Sequence, residues 1–210
     1  MIPKRILIIQ TAFIGDVILS TSLVESLKKK FPDSEIDFLL RKGNEQLFEN
    51  NPHIHKILIW KKKESKLVSL IKIIKEVRAR RYDLLVNLQR YFSTGMIAFL
   101  SNAKYKIGFS QNPFSFSYNK KVMHVMTEGT HDIIRNHRLI ESLTQSEPQK
   151  PKLYPSDKQY ANVKGYKAEK FITIAPASVW FTKQFPEHKW VEFLDQLEFD
   201  GQVYFVGAPS

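Results

Sequence analysis

Apolar residues fall along this chain in short unbroken runs, separated by longer stretches where they recur every third or fourth position. The runs "KRILIIQ", "EIDFLLR", "HKILIW", "YDLLVNLQ" and "KYKIGF" have strand length and continuous apolar character. Strands covered on both faces read this way. Between them, 16–31 carries Val17, Leu23, Val24 and Leu27 at near-helical spacing, and Pro32 follows its end. The stretch "NEQLFENN" predicts a short helix stopped before Pro52. Residues 66–81 place Leu67, Leu70, Ile71, Ile74 and Val77 on one helical face. "STGMIAFLS" predicts a helix with Ser93 as its N-cap, and a further helix is expected from residue 130 through "THDIIRNHRLIESLT". Alternation of this kind predicts an α/β fold, a parallel sheet with helices on both faces.

The rhythm breaks at 110–121, "SQNPFSFSYNKK", a polar, aromatic and basic loop placed after a strand's carboxyl end. Open α/β sheets bind ligands at that edge. Phe114, Phe116 and Tyr118 alternate, which suits an edge strand as well as a lipid-facing loop. "QSEPQKPKLYPSDK" is rich in Pro and charge and reads as a linker. The pattern then restarts with a strand at "EKFITIAPAS", a helix at "PEHKWVEFLDQLE" and a strand at "GQVYFVGAPS". Two strands and one helix leave a sheet face and an edge bare. We therefore expect a complete Rossmann-like domain over 1–145, a linker region over 146–168, and the beginning of a second, similar domain over 169–210.

Composition narrows the function classes. The 210 residues are 43% hydrophobic and 25% charged, with no cysteine, which excludes disulfides and thiolate metal sites. No apolar run approaches the roughly 20 residues of a membrane span, and the N-terminus lacks a small-residue cleavage site, so a cytoplasmic protein is expected. A net charge of +11 favours anionic partners: nucleic acid, an anionic membrane face or a phosphorylated substrate. No nucleic-acid-binding module is present, and none is expected as partner. Neither an Asp-x-Asp pair nor a clustered His set suggests a metal.

Candidate chemistry starts at "QTAFIGD". Strand, turn and helix resemble the start of a phosphate loop, yet the stretch has only Gly15 and no Gly-Lys-Ser/Thr. Asp16 reads in two ways. It is a helix N-cap, or it is a general base at a strand's carboxyl end, taking the proton of a nucleophilic hydroxyl. As a base it would repel a phosphate, so a phosphorylated donor belongs on the other domain. There Ser178, Thr182 and Lys183 precede a helix. They form either a diphosphate-binding loop or an ordinary strand–helix connection. Arg90, Lys104, Lys106, Lys120 and Lys121 are placed near the carboxyl-edge cleft or its aromatic loop, as contacts for an anionic acceptor. Lys61 to Lys63 form a basic run that reads as solvated or as leaning on anionic lipid.

These stretches resemble a family. "RILIIQTAFIGDVILSTSLVESLKKKFP", "YDLLVNLQ", "LSNAKYKIGF", "HDIIRNHRLIESL" and "ITIAPASVWFTKQFPEHKWVEF" are similar to the ADP-heptose:lipopolysaccharide heptosyltransferases, glycosyltransferases of GT-B fold. The resemblance implies an acceptor domain followed by a donor domain. It implies Asp16 as catalytic base, Lys183 on the donor diphosphate and Ser178 near that phosphate. The reaction it implies is inverting and metal-independent, without a cofactor, from ADP-heptose as nucleotide-sugar donor to a phosphorylated glycolipid acceptor of the lipopolysaccharide core. The enzyme would work in the cytoplasm, in peripheral contact with the inner face of the membrane. It also implies a longer second domain with an Asp-Ser/Thr-Gly loop and a His, so the chain is expected to be C-terminally truncated. The alternatives are a non-catalytic module that binds anionic glycolipid, and a member that uses another nucleotide sugar.

Overall fold

The computed structural model describes residues 2–62, 65–126, 129–178 and 181–207. Lys63, whose basic run was singled out above, and the last three residues lie outside the described residues. Two compact units are present, Met1–Tyr154 and Pro155–Ser210.

The first unit is built on a six-stranded sheet: β1 (Arg5–Ile9), β2 (Glu35–Arg41), β3 (Ile54–Trp60), β4 (Leu84–Asn87), β5 (Tyr105–Phe109) and β6 (Lys120–Val122). All neighbours pair in parallel, in the order β3-β2-β1-β4-β5-β6. The order reverses between β1 and β4, and the crevice at such a reversal is where open α/β sheets hold ligands. Alternation along the strands divides the core in two. Ile6, Ile8, Phe38, Val86 and Phe109 pack under α1 (Ile14–Lys30) with Leu139 and Ile140. Leu7, Ile9, Leu39, Leu58 and Leu85 pack under α2 (Lys66–Ala79) and α3 (Phe92–Leu100).

Three local expectations are corrected. Ser93 does not cap α3; Tyr91 occupies the cap position without a side-chain bond. The helix expected from residue 130 is broken into α4 (Asp132–His137) and α5 (Glu141–Thr144). Between them Leu139 and Ile140 donate to the carbonyls three residues back, at 3.1 and 2.8 Å, and both side chains turn into the core. The aromatic loop is neither edge strand nor plain loop. Phe114 leads into a 3-10 turn over Ser115–Ser117, and Tyr118 is buried, its hydroxyl accepting from Asn87 Nδ2 at 2.8 Å. The chain then forms β6, which extends the sheet from five strands to six.

The first unit extends past residue 145. Along the outside of α1, Gln149 N donates to Ser26 Oγ at 3.1 Å, Lys152 N to Thr21 Oγ1 at 2.9 Å, and the Tyr154 hydroxyl to Glu25 Oε1 at 3.0 Å. The expected linker therefore begins as part of the first unit. Its remainder is not extended either, because Ser156 forms a reciprocal capping box with Gln159 and starts α6 (Asp157–Lys164). The second unit continues with β7 (Phe171–Ile174), a 3-10 turn over Phe181–Lys183, α7 (Glu187–Asp195) and β8 (Gln202–Phe205). β7 and β8 pair in parallel.

Candidate active site

Asp16 lies in the first turn of α1, directly after β1 at the point of strand-order reversal. It is not the N-cap; Phe13 holds that place, extended at ψ 168°. Asp16 is the third helical residue, so its carboxylate lies in the field of the unpaired N–H groups of the first turn. The side chain is half-buried. Gly15 beside it is exposed, does not have positive φ, and a Cβ there would meet nothing within 4 Å. The fold does not require glycine at this position. What glycine leaves is bare backbone next to a carboxylate, open to a close approach from outside.

A buried polar chain holds the loop that delivers Asp16. Gln10 and Gln89, at the ends of β1 and β4, are buried; Gln89 Nε2 donates to Gln10 Oε1, and Gln10 Oε1 also accepts from Ala12 N at 3.2 Å. Asn87 Oδ1 accepts from Gln89 N at 3.0 Å. Asn112 Nδ2 donates to the carbonyls of Gln89 and Tyr91 at 3.0 and 3.1 Å, which secures the loop bearing Arg90. Buried polar groups satisfied in this way fix one conformation.

Two arginines and a histidine face this edge. Arg135 of α4 is largely buried and ion-paired with Asp132. Burial lowers its pKa most, Arg90 lowers it further, and the carboxylate of Asp16 works in the opposite direction. His124 follows β6. Its backbone N–H donates to Gln111 Oε1 at 3.0 Å, and Gln111 Nε2 donates to the His124 carbonyl at 3.1 Å. The ring packs edge-on against Phe109 at 4.7 Å. Burial, then Arg90, then Arg135 hold its pKa below the usual histidine range. Among the described residues, Arg135 Nε and His124 Nδ1 are both buried with no hydrogen-bond partner. Guanidiniums gathered with unpaired donors are equipped to receive an anion such as phosphate.

Of the five cations expected to contact the acceptor, only Arg90 is at this edge. Lys104 precedes β5 and so lies at the opposite, amino edge, with Nζ 2.8 Å from Asp83 Oδ1. Lys106 is the second residue of β5, and its N–H donates to Asn119 Oδ1 at 2.8 Å. Lys120 opens β6 level with Ile107 and donates to Ser142 Oγ at 2.7 Å; burial lowers its pKa, and Glu141 acts against this. Lys121 is exposed and pairs with Gly108. Lys104 and Lys106 therefore lie away from the cleft, whereas Lys120 and Lys121 adjoin the aromatic loop, as expected, but sit alongside the middle of β5 and not at its carboxyl end. Arg135 and His124 were missed. A charged residue on a predicted helix reads as solvated, and helical spacing alone does not show that Arg135 is drawn out of solvent.

In the second unit, Thr182 and Lys183 are exposed on the 3-10 turn ahead of α7. The Ser178 carbonyl accepts from Gln184 Nε2 at 2.7 Å, which closes the loop back on the turn. Among the described residues, no group of three or more His, Cys, Asp or Glu is placed to hold a metal ion, and no helix is long and apolar enough to cross a membrane.

Solved structures share this fold. A glycosyl transferase family 9 protein from Veillonella parvula superposes with a TM-score of 0.82 at 20% identity, over 96% of this chain and 62% of that one. Escherichia coli ADP-heptose LPS heptosyltransferase II gives 0.74 at 20% identity, over 96% and 63%. These likenesses identify the α/β fold as of GT-B kind. By sequence, lipopolysaccharide heptosyltransferase 3 of Escherichia coli K12 is 26% identical over 213 residues, 93% of this chain and 61% of that protein. The chain thus spans less than two thirds of that relative's length. Residues 70–210 match the family model described as glycosyltransferase family 9 (heptosyltransferase), and the chain belongs to that family.

Proposed function

We propose that the protein is an inverting glycosyltransferase that moves heptose from ADP-heptose to a phosphorylated sugar of the lipopolysaccharide core. It would do so in the cytoplasm, in peripheral contact with the membrane that carries the acceptor. The observation that carries this reading is Asp16, set beside uncovered Gly15 backbone at the strand-order reversal, with Arg135 near enough to feel both its carboxylate and the Arg90 guanidinium. Similarity to lipopolysaccharide heptosyltransferase 3 supports the choice of donor and acceptor class.

In this reaction Asp16 takes the proton of the acceptor hydroxyl. The oxygen attacks the anomeric carbon from the side opposite the diphosphate. The bond between that carbon and the diphosphate oxygen breaks, ADP leaves, and the configuration inverts. Arg90 and Arg135 hold a phosphate of the acceptor, which places the hydroxyl without putting an anion on Asp16. Ser178, Thr182 and Lys183 bind the donor diphosphate, and Lys183 offsets the charge that grows on it as it leaves. No cofactor or metal enters the reading.

The test is Asp16→Asn in the whole protein. Transfer from ADP-heptose to a heptose-free core acceptor should fall about 100-fold or more, the usual size of a general-base contribution. ADP-heptose affinity should stay near the parent value. Turnover within a few-fold of the parent would remove Asp16 from the mechanism.

A further inference from the structure

The layer formed by α2 and α3 exposes large apolar side chains that the fold does not use. Ile73 and Val77 of α2 and Ile97 and Ala98 of α3 are buried and hold the two helices side by side on one sheet face. Facing away from that core, Leu67, Val68 and Ile71 are 73%, 51% and 53% exposed, and Tyr91, Phe92 and Phe116 are 62%, 58% and 66% exposed. The aromatic members form a built group. Phe92, Phe99 and Phe116 gather around Phe114 at centroid separations of 5.0, 5.6 and 5.9 Å. A single exposed apolar residue is ordinary, whereas a contiguous set marks an interaction surface.

Position and charge identify the partner. A crossover helix returns against its strands, so α2 and α3 both begin at the sheet's carboxyl edge. Leu67, Val68, Tyr91 and Phe92 therefore lie at the edge that carries Asp16, and Tyr91 directly follows Arg90. Around the aliphatic trio, Lys61, Lys62, Lys72, Lys75 and Arg78 are exposed. The entire positive excess of the chain lies in residues 1–154, since 155–210 hold one more acidic than basic residue. An apolar centre surrounded by lysines is complementary to a bilayer with anionic headgroups: apolar side chains enter the acyl boundary and ammonium groups meet phosphates. A protein partner with the same charge pattern would need an acidic rim around an apolar plug, which is a narrower requirement.

We propose that the α2–α3 face docks on an anionic lipid bilayer. The proposal rests on the reading of the protein as a transferase with a lipid-anchored acceptor, and it names the surface that makes the peripheral contact. Docking there brings the carboxyl edge, with Asp16 and Arg90, toward the headgroups where such an acceptor is anchored.

Flotation with vesicles of phosphatidylcholine, alone or mixed with phosphatidylglycerol, tests the surface without any acceptor. The protein should float with the anionic vesicles and not with the neutral ones. Leu67→Ser/Ile71→Ser, Phe92→Ser/Phe116→Ser and Lys72→Glu/Lys75→Glu should each weaken binding about tenfold or more. Lys72 and Lys75 are exposed, so that pair keeps the test valid if an apolar variant fails to fold. A parent that stays unbound, or variants that float like it, would overturn the proposal. So would a parent dimer that the variants dissociate without any lipid binding, because a second copy would then cover the face. Vesicle binding as expected with no heptose transfer by the whole protein would sink the functional reading and leave the surface standing. Transfer without vesicle binding would do the reverse.

Discussion

His124 is the residue whose behaviour most directly reports on the candidate site. Its folded pKa lies below the ordinary histidine value of about 6.5 because burial, Arg90 and Arg135 all oppose a further positive charge. The unfolded chain binds the proton more readily than the folded one. Stability should therefore fall as pH drops through the ordinary histidine range toward the lower folded value, and His124→Gln should reduce that loss. An anion seated between the guanidiniums would cancel part of their field. Adding inorganic phosphate should then raise the His124 midpoint in an NMR titration, and Arg135→Gln should raise it without phosphate. A midpoint that stays fixed at saturating phosphate would mean that the two arginines are not an anion site.

At the scale of elements, α3 shows how tightly the site's frame is packed. Gly95 is buried in mid-helix, and a Cβ there would fall on Asn112 Oδ1 and within 2.9 Å of Asn112 Cγ. Asn112 is the clamp on the Gln89 and Tyr91 carbonyls and, through Oδ1, on Phe114 N at 2.9 Å. Gly→Ala within a helix ordinarily stabilises by about 0.5–1 kcal/mol. At Gly95 it should instead destabilise by about 1–3 kcal/mol, the usual size of an overpacked core, and it should loosen the Arg90 loop and the aromatic turn together. Gly15→Ala, with no neighbour in reach, should leave the melting temperature unchanged or slightly raised. Equal responses at the two positions, in thermal melts of the single variants, would contradict this packing. The same contrast explains what the sequence made legible. β1 to β5 could be read because each is a continuous apolar run, and the place of Asp16 at the start of α1 could be read because the strand before it and the helix after it were both clear. β6 could not, because "KKV" is three residues long and two of them are lysines. Arg135 and the Gln10–Gln89 bond were illegible for a different reason: they depend on which chain ends the sheet order brings together, and periodicity carries no such information.

On the scale of the whole molecule, burial is divided very unequally. The first unit has two cores, one on each face of its sheet. Among the described residues of the second unit, Ile174 is the single buried hydrophobic side chain, while Phe181, Phe185, Phe193 and Phe205 stand exposed. A short segment with so little apolar burial does not offset its conformational entropy. Residues 1–154 should therefore fold alone with one cooperative thermal transition, and 155–210 alone should show none. Where the first unit is cut also matters. Residues 149–154 satisfy Thr21, Ser26 and Glu25 on α1, and His53 Nε2 approaches Glu25 Oε2 at 3.6 Å beside the Tyr154 ring. Burial first, then the Glu25 carboxylate, push the Tyr154 phenol up to about 12, so its hydroxyl remains a donor throughout the neutral range. A fragment ending at residue 145 loses all three bonds at a net cost of about 1 kcal/mol each. It should melt about 5 °C or more below the fragment ending at 154. Matching melting curves for the two fragments would show that this strap contributes nothing to the first unit and belongs, as its composition suggests, to a linker.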